Sequence, residues 1–114
     1  MKETSAEAIM RTILNSLQID FRAQEPLLGT PDFYIPSTQL AIFVHGCFWH
    51  GHNCRPVNDS AIEAEKRDIA VIRGLKADGL NVFIAWECDL RSQPTVIATR
   101  LRRLVSPRPA AALA

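Results

Sequence analysis

The chain has 114 residues, 47% hydrophobic and 22% charged, enough to bury one hydrophobic core, too little for two independent ones, and too apolar for wholesale disorder. A formal net charge of +1 excludes a strongly basic protein that would hold nucleic acid by bulk electrostatics alone. No apolar run approaches the roughly 18 residues that span a bilayer, and Met1-Lys2-Glu3-Thr4-Ser5 lacks the apolar stretch of a secretion signal, so a cytoplasmic protein away from membranes is expected.

Thr4 followed by Glu7 fits a capping box, and Ile9, Met10, Ile13, Leu14 and Leu17 recur at helical spacing, which predicts a first helix packed on a sheet. From Phe21 the pattern breaks. Pro26, Gly29 and Pro31 punctuate a loop leading into Asp32-Phe33-Tyr34-Ile35, a short run of strand character. Pro36-Ser37-Thr38 signals a turn, and Leu40 to Val44 is a nearly continuous apolar run of the length of a strand buried on both faces. A hairpin folded around Ser37 or Thr38 places Asp32 across from Phe43, Val44 or His45.

Beyond Cys54, Pro56 and Asn58-Asp59 mark a loop, Ser60 with Glu63 matches a second capping box, and the helix it opens runs to about Ala77, where Asp78-Gly79 ends it. Leu80 to Trp86 reads as another buried strand, and Thr95 to about Val105 as a last helix with Pro94 near its first turn. The order helix, hairpin, helix, strand, helix implies an α/β fold, a mixed sheet flanked by helices in one domain over residues 1–105. Residues 106–114, with two prolines and a run of alanines, are expected to fray. Arg91, Arg100, Arg102, Arg103 and Arg108 make the last quarter basic, which fits a solvated helix face as well as it fits a phosphate-contacting patch.

All three histidines and two of the three cysteines fall between His45 and Cys54. Thiolate and imidazole are the ligands zinc prefers, and a structural site takes four in a tetrahedron. Cys47, His52 and Cys54 can supply three from one loop, with Gly46 and Gly51 allowing it to wrap. Cys88 lies just past the second apolar strand, and a parallel pairing of the two strands brings it beside the loop as the fourth. Such a zinc ion would fasten a loop that cannot bury much apolar surface; the alternative is that Cys47 and Cys88 are ordinary buried cysteines. Three cysteines cannot pair completely, so reduced thiols are expected.

His45 and His50 then remain, His45 at the strand end facing Asp32 and His50 in the zinc-fastened loop immediately beyond it. A strand carboxylate is a hard oxygen ligand suited to Mg²⁺, and imidazoles beside it can take a proton from water near neutral pH. Carboxylate, divalent cation and histidine together describe phosphodiester hydrolysis.

Gly29-Thr30-Pro31-Asp32-Phe33, the run from Ile42 to Cys54 with its His45-Gly46-Cys47-Phe48-Trp49-His50-Gly51-His52 segment, Lys66-Arg67-Asp68-Ile69, and Val82 to Leu90 together resemble the very-short-patch-repair (Vsr) endonucleases. The similarity runs in register from about Glu7 to Leu90. The resemblance implies a restriction-endonuclease-like fold with a structural zinc site, in which histidines replace the later acid and lysine of the usual nuclease motif. By position, Asp32 would bind the catalytic Mg²⁺ with the Val44 carbonyl, His50 would act as base toward the attacking water, and His45 and Glu7 would support the hydrated metal and that base. Cys47, His52, Cys54 and Cys88 would be the Zn²⁺ ligands.

In the family, aromatic side chains wedge into double-stranded DNA beside a T:G mispair and one strand is nicked on the 5′ side of the mispaired thymine; Phe48 and Trp49 match two such wedges. Glu7 is explained equally well as a helix cap, and one of the two aromatics as packing around the zinc loop. The family also carries an amino-terminal segment that embraces DNA and a longer stretch after Cys54, where this sequence has only Arg55-Pro56-Val57-Asn58-Asp59. Both differences concern DNA contacts rather than chemistry. The expectation is a monomeric Mg²⁺-dependent endonuclease that nicks at or near T:G mismatches in mismatch repair. A nuclease of relaxed specificity and a zinc-stabilised DNA-binding module are the alternatives.

Overall fold

In the computed structural model, residues 3–47 and 59–105 are described. Helix α1 (Ser5–Ser16) begins where the capping box places it: Glu7 N–H donates to Thr4 Oγ1 at 3.1 Å and Thr4 N–H donates to Glu7 Oε2 at 3.3 Å. Ala6, Met10, Ile13 and Leu14 form its buried stripe.

Four strands follow: β1 (Arg22–Ala23), β2 (Phe33–Ile35), β3 (Leu40–His45) and β4 (Asn81–Trp86), hydrogen-bonded in the order β1-β2-β3-β4. The expected hairpin is β2 and β3, antiparallel, joined by a 3₁₀ turn over Pro36–Thr38 and by Gln39 in a left-handed conformation at φ 52°. Phe33 pairs with Ile42, so one further step along the ladder sets Asp32 opposite Phe43, inside the window the hairpin predicts. β3 and β4 run parallel, from Leu40 beside Asn81 to His45 beside Trp86. β1 was not anticipated. It is two exposed residues long, and its pairing with β2 depends on the neighbouring strand and leaves no pattern in the chain.

Helix α2 (Asp59–Ala77) starts at Asp59, so Ser60 lies within its first turn and is not its cap. A carboxylate at that end of a helix is favoured by the peptide dipoles, which a search for hydroxyl caps overlooks. Its far end is as expected: Gly79 takes φ 85°, and Leu80 N–H and Gly79 N–H donate to the carbonyls of Leu75 and Lys76. Helix α3 (Glu87–Ser92) follows β4 directly and is too short to show a periodic stripe. Helix α4 (Pro94–Val105) has Pro94 as its first residue, where the missing N–H costs no hydrogen bond.

Side chains alternate across β3 and divide the interior into two cores. Leu40 and Ile42 join Met10, Leu14, Phe33, Ile35, Leu90, Ile97 and Leu101, a core shared with α1, α3 and α4. Ala41 and Phe43 face the other way, toward Leu75 and Val71 of α2. β3 is thus buried on both faces, as its apolar run implies. β4, read as an equally buried strand, is buried only at Ala85, half-buried at Val82, Phe83, Ile84 and Trp86, and exposed at Asn81. It is the outer strand of the sheet, and an apolar run reports hydrophobicity without reporting place. Among the described residues no helix is long and apolar enough to cross a membrane. The expected tail and the His50–Cys54 segment lie outside the described residues.

The larger core sets the stability. Leu14→Ala, at a site with 0% exposure, is expected to destabilise the fold by about 3 kcal/mol, while Leu28→Ala, at 52% exposure, changes it by less than about 1 kcal/mol. Urea unfolding followed by circular dichroism measures both.

Candidate active site

Asp32 immediately precedes β2 and is tied down at two places. Its main-chain carbonyl accepts from Gln24 N–H at 3.1 Å, and its side-chain Oδ2 accepts from Val44 N–H at 2.7 Å. The second bond crosses the hairpin and holds the carboxylate against the end of β3. A strand residue directs its N–H and its C=O to the same edge, so the Val44 carbonyl opens on the Asp32 side as well.

Glu7, in the first turn of α1, reaches the same carboxylate. Burial raises the pKa of its carboxyl above the ordinary 4.5; the Thr4 N–H acts against this, and the charge of Asp32, the hydrogen bond between the two side chains and the charge of Glu3 add to the rise. Two carboxyls this close resist being ionised together, so a proton or a cation between them is favourable. Glu7 is therefore both a helix cap and a partner of Asp32.

His45 ends β3 and is buried, with its ring edge-on to Trp86 at 5.2 Å between centroids and tilted to Phe43 at 6.0 Å. Its Nδ1 lies 3.7 Å from Asp68 Oδ2 on α2. Thr30, Asp32, Val44, His45 and Asp68 line one cleft of about 230 Å³, and a second hollow of about 180 Å³ continues from His45 and Asp68 past Ile72 to Trp86. A wider depression of about 670 Å³ lies at the other end of β2, between Asp20, Arg22, Ser37 and Arg102; its lining has no imidazole and one carboxylate, which makes the smaller cleft the better candidate.

Asp68 had no assigned role in the sequence reading, although a signal was present. Ala61, Ala64, Val71 and Leu75 make the inward stripe of α2 at spacings of three and four, and Asp68 occupies the place in that stripe where an apolar residue belongs.

The parallel register that sets His45 beside Trp86 also sets Cys47 beside Cys88, each two residues further on. Cys88 N–H donates to Cys47 Sγ at 3.4 Å, and Cys47 is 1% exposed. Phe48, Trp49, His50, His52 and Cys54 lie outside the described residues, and among the described residues no three His, Cys, Asp or Glu side chains form a metal-holding group.

The donor chemistry suits the metals that the sequence implies. Asp32 and the Val44 carbonyl are hard oxygens in an open cleft, a set that Mg²⁺ accepts when water and phosphate complete its shell. Cys47 and Cys88 bring two thiol-bearing residues together, with the Cys88 Sγ directed to Asp89 Oδ1 at 3.9 Å, and two thiols are donors of the kind a tetrahedral zinc site would take.

Comparison with known proteins gives a family and a fold. The family model of the DNA mismatch endonuclease Vsr matches residues 1–56. The type II nicking enzyme V.XorIIP of Xanthomonas oryzae pv. oryzae is 39% identical over 117 residues, covering 93% of this chain and 85% of that protein. The DNA mismatch endonuclease Vsr of Escherichia coli is 33% identical, over 81% of this chain and 66% of its own length. Among solved structures, the catalytic domain of the homing endonuclease I-Bth0305I superposes with a TM-score of 0.63 at 21% identity, covering 91% of this chain and 100% of that one, a likeness of fold.

The carboxyl pair has a measurable pH signature. Glu7→Gln keeps an acceptor for the Thr4 N–H and removes one of the two charges. Without divalent cations the variant is expected to be more stable than the wild type at pH 7. Wild-type stability is fully present below pH 4.5, where Glu7 is protonated folded or unfolded, and is lost as pH rises through the raised folded pKa. Thermal unfolding from pH 4 to 8 should therefore show the two proteins converging at the acid end; a constant difference would refute the pairing.

Proposed function

Because the chain belongs to the DNA mismatch endonuclease Vsr family and is a DNA endonuclease, we propose that it nicks one strand of duplex DNA at or near T:G mispairs, with Asp32 at the centre of the site. The observation that carries this is the 2.7 Å bond from Val44 N–H to Asp32 Oδ2, which holds the carboxylate in the cleft that His45 and Asp68 also line.

Asp32 and the Val44 carbonyl would hold Mg²⁺, which when bound offsets charge on the phosphate and makes water more acidic. Glu7 shares a proton or hydrogen bond with Asp32, so it orients water on that side of the carboxylate. Asp68 Oδ2, 3.7 Å from His45 Nδ1, is placed to attract a protonated His45 ring. His50 is assigned as the base that takes the proton of the attacking water. Phe48 and Trp49 are assigned to the unstacked step beside the mispair, where insertion costs a few kcal/mol and a mispair lowers that cost. Cys47, His52, Cys54 and Cys88 are assigned to a structural Zn²⁺ that secures the loop carrying His50.

The test uses end-labelled duplexes with a T:G or a matched pair, with and without Mg²⁺. One nick is expected in the thymine strand of the mismatched duplex, only with Mg²⁺, and none with Asp32→Asn of unchanged circular dichroism. Equal nicking of the matched duplex would indicate relaxed specificity; binding without product at any Mg²⁺ concentration would indicate a DNA-binding module. Full activity of Asp32→Asn would overturn the site.

The zinc assignment is tested separately. Purified protein should carry one zinc per chain, and Cys88→Ser or chelation should release it and lower the melting temperature by about 10 °C or more, since metal binding in small domains is folding energy. An unaltered melting temperature after complete chelation would remove the assignment.

A further inference from the structure

Thr30 stands two residues before Asp32 and lines the same cleft as Asp32, Val44 and His45. Its φ is 46°, in the left-handed region, where a β-branched side chain crowds its own backbone. Glycine would occupy this position without strain.

The neighbours impose the conformation. Gly29 has φ 75° and approaches α2 so closely that a Cβ there would lie 2.5 Å from a Val71 methyl. Thr30 N–H donates to the Leu27 carbonyl at 2.8 Å, and Pro31 on the other side is fully buried. The threonine side chain gains nothing locally in return: it is exposed, and its hydroxyl makes no hydrogen bond among the described residues. Strain that the surroundings over-determine, at a position where the side chain does no packing, points to what the side chain faces.

Thr30 lines a cleft with few donors: Asp32 and Asp68 bring carboxylates to its walls, the Val44 N–H is committed to Asp32, and among the other lining side chains only the His45 imidazole can donate. A DNA phosphate entering there presents only acceptors, and side-chain hydroxyls are common partners for its oxygens.

We propose that Thr30 is a substrate-contacting residue whose hydroxyl donates a hydrogen bond to a non-bridging oxygen of the DNA phosphate held in the Asp32 cleft. The inference rests on the reading of that cleft as the active site. It gives a role to a β-branched hydroxyl residue at a position where glycine would fit without strain.

Steady-state nicking of the mismatched duplex by Thr30→Val, Thr30→Ser and Thr30→Gly, with Asp32→Asn alongside, tests it. Thr30→Val keeps the shape and removes the donor, so KM should rise about ten-fold, the loss of one hydrogen bond, at an unchanged melting temperature. Thr30→Ser should stay within about two-fold of the wild type for the same reason. Thr30→Gly should melt higher than the wild type and share the raised KM, separating contact from stability. A Thr30→Val enzyme with wild-type KM beside an inactive Asp32→Asn would overturn the contact and leave the active site standing. Active Asp32→Asn would overturn the active site itself.

Discussion

The position of β3 between two differently oriented neighbours is the constraint on which the rest of the molecule depends. Its antiparallel ladder with β2 sets Asp32 against Val44, and its parallel ladder with β4 sets Cys47 against Cys88. One strand therefore delivers the carboxylate partner, the imidazole of His45 and the first thiol within four residues, from Val44 to Cys47. Because side chains alternate along a strand, a slip of one residue in either ladder would turn the Phe43 and Val44 faces over and separate these groups. The two-sided burial of Leu40 to Phe43 makes such a slip costly, so the core that stabilises β3 also aligns the chemistry.

Electrostatically the site is a concentration of carboxyls, some held by a donor and some set against one another. Asp32 has the Val44 N–H and Asp68 lies beside His45, while Glu7 and Asp32 disfavour each other's ionised form. Together they prepare a place where a cation, a proton or a polarised water is welcome, which is the requirement of a group that must face a phosphodiester.

The two faces of the sheet are unequally filled. α1, α3 and α4 pack over a broad core, whereas α2 buries only Ala61, Ala64 and Leu75 of its own residues. The space left between α2 and the strands is the cleft with its extension toward Trp86. Asp68 in the inward stripe of α2 is the local reason: a carboxylate there cannot close onto the sheet as a leucine would, and it instead opens room beside His45. The loop before Asp32 meets α2 through glycines, since side chains at Gly29 and Gly74 would collide with Val71 and Leu28. The wall of the cleft is thus set by backbone contact, and Thr30 inherits its strained conformation from it.

By itself, the sequence determined the elements with a strong period and the groups with unusual chemistry. The Thr4–Glu7 cap, the stripe of α1, the double-sided run of β3 and the glycine end of α2 were all legible, and so was the convergence of Asp32 with the end of β3, because local hydrogen bonding and burial leave residue-level patterns. The parallel approach of Cys88 to Cys47 was legible too, since a helix between two apolar strands makes the crossover that parallel pairing needs. Only the tertiary structure decided the two-residue β1, the short α3, the outer place of β4, the pairing of Asp68 with His45, and the fact that Glu7 is both cap and carboxyl partner. These depend on neighbours distant in the chain: a strand two residues long exists only through its partner, and a carboxyl's role is set by whichever side chains the packing brings within a few ångströms of it.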